Sequence, residues 1–250
     1  MRGRSRPALY GRADMLSWQE QQMQSMLSAE SAPTLFDTLS GVTRQLGFDY
    51  CAYDMRLPWP IAEPKIVSIN NYPTKWQQRY AQESYQNIDP TVAHGRQSNL
   101  PLVWADAQIA SNRSFWEDAH AHGLHTGWAQ SCHDAKGISG LLNLSRSDDN
   151  ISHAELREIS MKLSWLVNVA HEGLSLLLIK EHMPEAGAQL TSREIDVLRW
   201  TADGKTSGEI SEIMYISDRT VNFHISNALK KLNATNKTAA AVKAVRLGIL

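Results

Sequence analysis

Asn222, Ser226 and Lys230 recur at four-residue steps, with Arg219, His224 and Lys231 beside them. On a helix, that spacing gathers short polar side chains and cations on one face. Such a face suits nucleic acid. Cations neutralise phosphates, while amides and hydroxyls bond base edges in a major groove that admits one helix. The apolar residues of the run, Val221, Ile225, Ala228, Leu229 and Leu232, form the opposite stripe. A second group lies upstream. Tyr72, Trp76 and Tyr80 repeat at the same interval on one predicted helical face, followed by Asp89-Pro90 and Trp104. Buried Tyr and Trp direct their polar tips at partners, and a buried carboxylate needs donors, so this group suits a small-molecule pocket. It equally suits an aromatic core in which Asp89 only caps a short helix, Pro90–Gly95.

The elements that carry the first group have clear punctuation. Thr191-Ser-Arg-Glu194 and Thr206-Ser-Gly-Glu209 are capping boxes, and Ser217 suits an N-cap. Gly204-Lys205-Thr206 breaks the run between them, and an alanine-rich helix over about 237–247 ends at Gly248. These are the parts of a helix-turn-helix inside a four-helix unit. Arg219 to Leu250 holds six Lys or Arg and no Asp or Glu, in a chain of formal net charge −1. Positive charge is therefore concentrated around the proposed recognition helix. A plain helical bundle with a solvated basic face is the bland alternative.

Upstream, helices and strands alternate. Two helices are expected over 16–46, with Gly47 ending the second. Strands follow over 48–57 and 65–69, a helix over 73–84, a short strand over 101–104 and a helix over 111–122. An antiparallel pair over 128–133 and 138–145 turns at Lys136-Gly137, and a long helix runs over 152–179. Strands flanked by helices on both sides predict an α+β fold, an α-β-α sandwich, ahead of the helical unit. The 250 residues suffice for two cores. The expected boundaries are a disordered tail 1–14, a first domain 15–179, a linker 180–188 and a second domain 189–250. The tail is Arg-rich without the apolar core of a signal peptide, and Met15 is an alternative start. Cys51 and Cys132 make no disulfide framework, which fits a reducing cytoplasm. No run approaches the roughly 20 apolar residues that span a bilayer, so no membrane partner is expected.

At this length the motifs carry a resemblance. Leu190-Thr-Ser-Arg-Glu194, Val197-Leu-Arg-Trp200, Asp203-Gly-Lys-Thr206, Glu209-Ile210 and Thr220-Val-Asn-Phe-His224 resemble the DNA-binding domain of the LuxR family. The resemblance implies double-stranded DNA as partner, base contacts from Asn222 and Ser226, and phosphate contacts from Lys205, Thr220, His224, Lys230 and Lys231. It also implies a homodimer formed partly through the last helix, and contact with RNA polymerase. Tyr72, Trp76, Tyr80, Asp89, Pro90, Trp104 and Gly127 fall in order on the signature of the LuxR-type autoinducer-binding domain, whose ligands are N-acyl-homoserine lactones. By that resemblance, Trp76 donates to the lactone carbonyl, Asp89 accepts the amide N–H and the Tyr72 hydroxyl meets the acyl carbonyl. Tyr80 and Trp104 enclose the ring, and Phe115, Leu124, Ala52 and Leu142 are weaker candidates for the acyl tunnel. Asn143 stands where many relatives place Ser or Thr near the ligand's carbonyl or third carbon. Ala129 and Ser131 likewise depart from the usual Thr and Pro of the neighbouring strand.

Two other classes are disfavoured. A phosphorylated receiver needs a parallel α/β pattern and an acidic set that residues 15–179 lack. An enzyme would need partners for His94, His120, His122, His125 and His133, yet no HExxH, CxxC or GxSxG motif accompanies them. No catalytic residue, metal or cofactor is expected beyond the small-molecule ligand.

Overall fold

The computed structural model describes residues 12–104, 112–134, 138–147 and 150–250. One sheet is built from β1 (Tyr50–Arg56), β2 (Ile66–Asn70), β3 (Leu102–Trp104), β4 (Thr126–His133) and β5 (Ser139–Arg146), in the order β2-β1-β5-β4-β3. Every neighbouring pair is antiparallel, with Ala52 opposite both Asn70 and Asn143. Strand alternation then assigns the faces. Cys51, Tyr53 and Met55 turn with Trp128, Leu142 and Leu144 toward α1 (Arg12–Leu27), α2 (Ala32–Gln45) and α6 (His153–His182), forming the main core. Ala52, Asp54 and Asn143 turn the other way, toward α3 (Thr74–Gln82), α4 (Pro90–Gly95) and α5 (Arg113–Ala121). The result is the expected α-β-α layering.

Local chemistry sets the ends. Gly47 closes α2 with φ +97°, and Ser152 Oγ accepts the Glu155 N–H at the start of α6. Arg146, at the end of β5, grips Glu155 with two bonds of 2.7 and 3.0 Å, which fixes α6 against the sheet. Deeper along α6, His171 Nε2 donates to the Ile138 carbonyl, so Nδ1 accepts the Tyr53 hydroxyl at 2.7 Å. Burial lowers the pKa of this imidazole, which stays neutral in a structural role.

The second domain contains α7 (Ser192–Ala202), α8 (Ser207–Met214), α9 (Asp218–Lys231) and α10 (Lys237–Arg246) around Val197, Ile210, Val221 and Ile225. Both capping boxes form: the Thr191 and Thr206 N–H groups each lie 2.8 Å from the glutamate three residues on.

Three boundaries differ from the sequence expectation. α1 already begins at Arg12, inside the expected tail, because its helical turn continues upstream of Met15. α6 runs through His182 into the expected linker, and a 3₁₀ turn, Pro184–Gly187, follows. Tyr72 precedes α3 rather than standing on it, since Pro73 caps that helix and the Tyr72 N–H bonds Asn70 Oδ1. Residues 1–11 and the expected turn at Lys136-Gly137 lie outside the described residues.

The two domains touch. Lys243 of α10 is only 2% exposed, pairs with Glu185 of the linker turn at 2.6 Å and sits 5.9 Å from the Trp59 ring. Arg246 Nε lies 3.4 Å from the Pro58 carbonyl. The connection between β1 and β2 is thus packed on the helix through which the family resemblance implies dimerisation.

Candidate ligand pocket and nucleic-acid interface

Between the sheet and α3–α5 lies a cavity of about 360 Å³, within the range of small-molecule sites. All eight residues expected at the ligand line it: Tyr72, Trp76, Tyr80, Asp89, Trp104, Phe115, Leu124 and Asn143. Six of the sixteen lining residues carry aromatic rings, so one side of the wall is a ring cluster. Trp76 packs on Tyr80 and Phe115 at 5.6 and 5.8 Å between centroids, and Trp116 bridges Phe115 and Trp104 at 4.9 and 5.1 Å. The outer side is stapled at Asp118 of α5, which accepts the Tyr85 hydroxyl and Arg79 Nε, each at 2.6 Å. Tyr85 and Arg79 hold this carboxyl below its ordinary range.

The polar end centres on Asp89. Oδ1 accepts the Thr91 N–H at 2.8 Å and the Thr91 hydroxyl at 2.7 Å, and Oδ2 accepts the Tyr80 hydroxyl at 3.0 Å. Asp89 therefore caps α4 and also faces the pocket, uniting the two sequence readings. Burial raises its pKa while Thr91 and Tyr80 pull it back. The Val92 backbone N–H also faces this carboxyl, and Oδ2, whose bond comes from Tyr80, is the oxygen at the cavity wall that can also accept from a ligand. Trp76 lines the cavity with no hydrogen bond to its indole N–H among the described residues.

Asn143 lines the cavity too, but its amide is engaged at both ends. Nδ2 donates to Thr91 Oγ1 at 2.9 Å, and Oδ1 faces the Trp104 indole N–H at 3.4 Å. It joins β3, β5 and α4 into one wall. Ala52 also lines the cavity, whereas Leu142 does not. One residue from Asn143, Leu142 points into the opposite core, as strand parity requires. Sequence reasoning missed Asp54, Ser68, Asn70, Thr91 and Trp116, all in the wall. The signal for Asp54 was available, because a strand that turns Ala52 inward turns Asp54 inward as well.

The histidines have ordinary partners: His94 Nε2 is 2.7 Å from the Leu100 carbonyl and His122 Nδ1 is 2.6 Å from the Asp118 carbonyl. Among the described residues no group of three His, Cys, Asp or Glu could hold a metal ion. No described helix is long and apolar enough to cross a membrane.

On the second domain, α9 shows Arg219, Asn222, Ser226 and Lys230 to solvent. The Ser207 hydroxyl of α8 donates to Asn222 Oδ1 at 3.0 Å, orienting the amide so that Nδ2 is left for an outside acceptor. Ser226 Oγ bonds back to the Asn222 carbonyl at 2.8 Å. Thr220 pairs with Ser217, His224 packs on Phe223, and Lys205 stands 3.8 Å from Glu209. Lys231 is different. Its Nζ lies 2.7 Å from Oε2 of Glu194, whose side chain is 4% exposed. Burial pushes Glu194 up, but Lys231 and Thr191 outweigh it and hold the carboxyl below its usual range. Of the six basic residues from Arg219 onward, Lys231 and Lys243 are therefore paired with carboxylates, and of these two Lys243 is the buried one. Arg219, Lys230, Lys231, Lys237 and Arg246 are exposed.

Comparison with known proteins agrees with both halves. Residues 31–174 match the autoinducer binding domain and residues 188–244 match the bacterial regulatory proteins of the luxR family. The transcriptional activator protein AnoR of Acinetobacter nosocomialis is 43% identical over 94% of this chain and 100% of its own length. Escherichia coli SdiA, solved in complex with octanoyl-rac-glycerol, is 33% identical with a TM-score of 0.82, over 95% of this chain and 97% of that one. The N-acylhomoserine lactone dependent factor CepR2 of Burkholderia cenocepacia is 28% identical with a TM-score of 0.61, over 67% of this chain and 98% of that one. With an autoinducer-binding domain ahead of a helix-turn-helix DNA-binding domain, this chain belongs to the LuxR family of quorum-sensing transcriptional regulators.

Proposed function

We propose that the cavity binds an N-acyl-homoserine lactone and that the liganded protein, as a homodimer, binds a near-palindromic promoter site and acts on RNA polymerase. The carrying observation is Asp89, a buried carboxylate whose Oδ2 accepts from Tyr80 at the cavity wall, in a cavity also lined by Trp76, whose indole N–H has no partner among the described residues. An acyl-homoserine lactone has one amide donor for Asp89, a lactone carbonyl for Trp76, an acyl carbonyl for Tyr72 and an alkyl tail. Filling the cavity completes the second core, and ligand that binds only the folded state stabilises it by about 2.7 kcal/mol at a hundredfold excess over Kd. Two copies of α9 would then meet half-sites about one helical turn apart.

Melting temperature against acyl-homoserine lactones of four to fourteen carbons, with and without a 3-oxo group, tests the first step. That stabilisation corresponds to a rise of roughly 5–10 °C in a chain of this size, confined to part of the series. No shift in folded, ligand-free protein favours a second reading, an orphan regulator with another signal. The glycerol ester bound by SdiA supports keeping that reading in the test.

The DNA face is tested by three variants. Asn222→Ala is expected to relax base preference, and Lys230→Ala to weaken binding evenly across sequences and reduce the salt slope by about 1. Lys231→Ala is expected to lower the melting temperature of the second domain, because Glu194 is left buried without its cation. An unchanged preference profile for Asn222→Ala would remove its base-reading role.

A further inference from the structure

The cavity contains a second acid that the lactone head does not use. Asp54 lies two residues beyond Ala52 on β1, so it shares the cavity face about 7 Å further along the strand. Across the sheet it stands opposite Ser68 on β2 and Leu141 on β5, and Asp54, Ser68 and Asn70 all line the cavity. The row behind it, Asn70, Ala52 and Asn143, is joined through Asn143 and Thr91 to Asp89. A ligand whose amide meets Asp89 and whose chain runs along this face of β1 brings its first carbons in front of Asp54.

Asp54 is under-supplied with donors. Three hydrogen bonds meet Asp89, whereas the donor facing Asp54 among the described residues is the Ser68 hydroxyl. Burial raises the Asp54 pKa to about 6, with Ser68 holding it down and Asp89 pushing it further up. At pH 7.5 it is thus an ionised, half-buried acceptor on the cavity wall, with lone pairs for a further donor. Acyl chains come in three kinds at these carbons. A methylene gives Asp54 nothing. A keto oxygen sets one acceptor against another. A hydroxyl donates to the carboxylate in a charge-assisted bond beside the one from Ser68.

We propose that Asp54, supported by Ser68, reads a hydroxyl on the acyl chain, so that the signal is a hydroxyacyl rather than a keto or unsubstituted acyl compound. This assignment rests on the cavity being an acyl-homoserine lactone site. It makes Asp54 a specificity residue, distinct from the head-group contacts.

The test is calorimetric titration of the full-length protein at pH 7.5 with three lactones of equal chain length, bearing a 3-hydroxy, a 3-oxo or no substituent. The parent is expected to bind the hydroxy compound about tenfold or more tighter than either other. Asp54→Ala should reduce that preference below threefold by improving the other two. Asp54→Asn keeps the shape but supplies a donor, and should turn the preference toward the keto compound, a reversal that a merely structural role would not produce. Lactones that bind the parent without preference for the hydroxyl, or an Asp54→Asn ranking like the parent's, overturn the proposal and leave the lactone site standing. Failure of all three to bind folded parent removes the lactone site and this proposal with it. The parent's ranking decides the matter even where a variant does not accumulate.

Discussion

An Asp89→Asn protein is expected to need about ten- to a hundredfold more lactone than the parent for the same rise in melting temperature. The carboxylate meets Thr91 and Tyr80 donors at 2.7 to 3.0 Å, with the Val92 N–H beside them, and its Oδ2 lies at the cavity wall. Asparagine has a single acceptor oxygen. If that oxygen keeps the α4 cap at Thr91, the amide nitrogen confronts the Tyr80 hydroxyl and the ligand N–H with hydrogens of its own. A hydrogen bond to a charged group is worth about 1.5–3 kcal/mol, which sets the size of the loss. The second domain takes no part in this network, so DNA binding measured without lactone should match the parent. Equal lactone affinity in mutant and parent would sink the role given to Asp89.

The largest effect on accumulation is expected at Gly127, on β4. A Cβ there would run into the Trp104 ring and the Leu144 carbonyl oxygen, closer than any real contact. Neither can yield. Leu144 belongs to the β4–β5 ladder, and Trp104 is 3% exposed and stacked on Trp116. Gly127→Ala must open the β3–β4 pair or push Trp104 into the ligand space. Overpacking of this kind costs about 1–3 kcal/mol or more, and here it also removes a pocket wall. Little soluble protein is expected, with no lactone-dependent rise in melting temperature in what survives. Gly41→Ala, where nothing lies within 4 Å of the added carbon, is the control and should behave like the parent. A Gly127→Ala protein with parental melting and lactone response would refute the packing account.

Much of this was legible in the residues because it depends on neighbours in the chain. Capping boxes at Thr191 and Thr206, the Ser217 cap and the apolar stripe of α9 are interactions over three or four residues, and each element formed where they indicated. The aromatic residues and Asp89 were legible as a group, but their types left a pocket and an aromatic core both open, and the family resemblance chose the pocket. Parity along β1 was equally local, yet Asp54 was overlooked and Leu142 was assigned to the pocket from the wrong face.

What the sequence by itself determined, then, was the order of the elements, their ends and the two kinds of chemistry they hold. Only the tertiary structure decided how individual polar groups are spent. It engaged both ends of the Asn143 amide, with Thr91 and Trp104, at the cavity wall, and it paired Lys231 and Lys243 with carboxylates, which reduces the charge that composition assigns to the DNA face. The physical reason is that the lysines' partners, Glu194 and Glu185, lie 37 and 58 residues away. A buried charge is satisfied by whatever the fold brings beside it, and chain spacing carries no record of that.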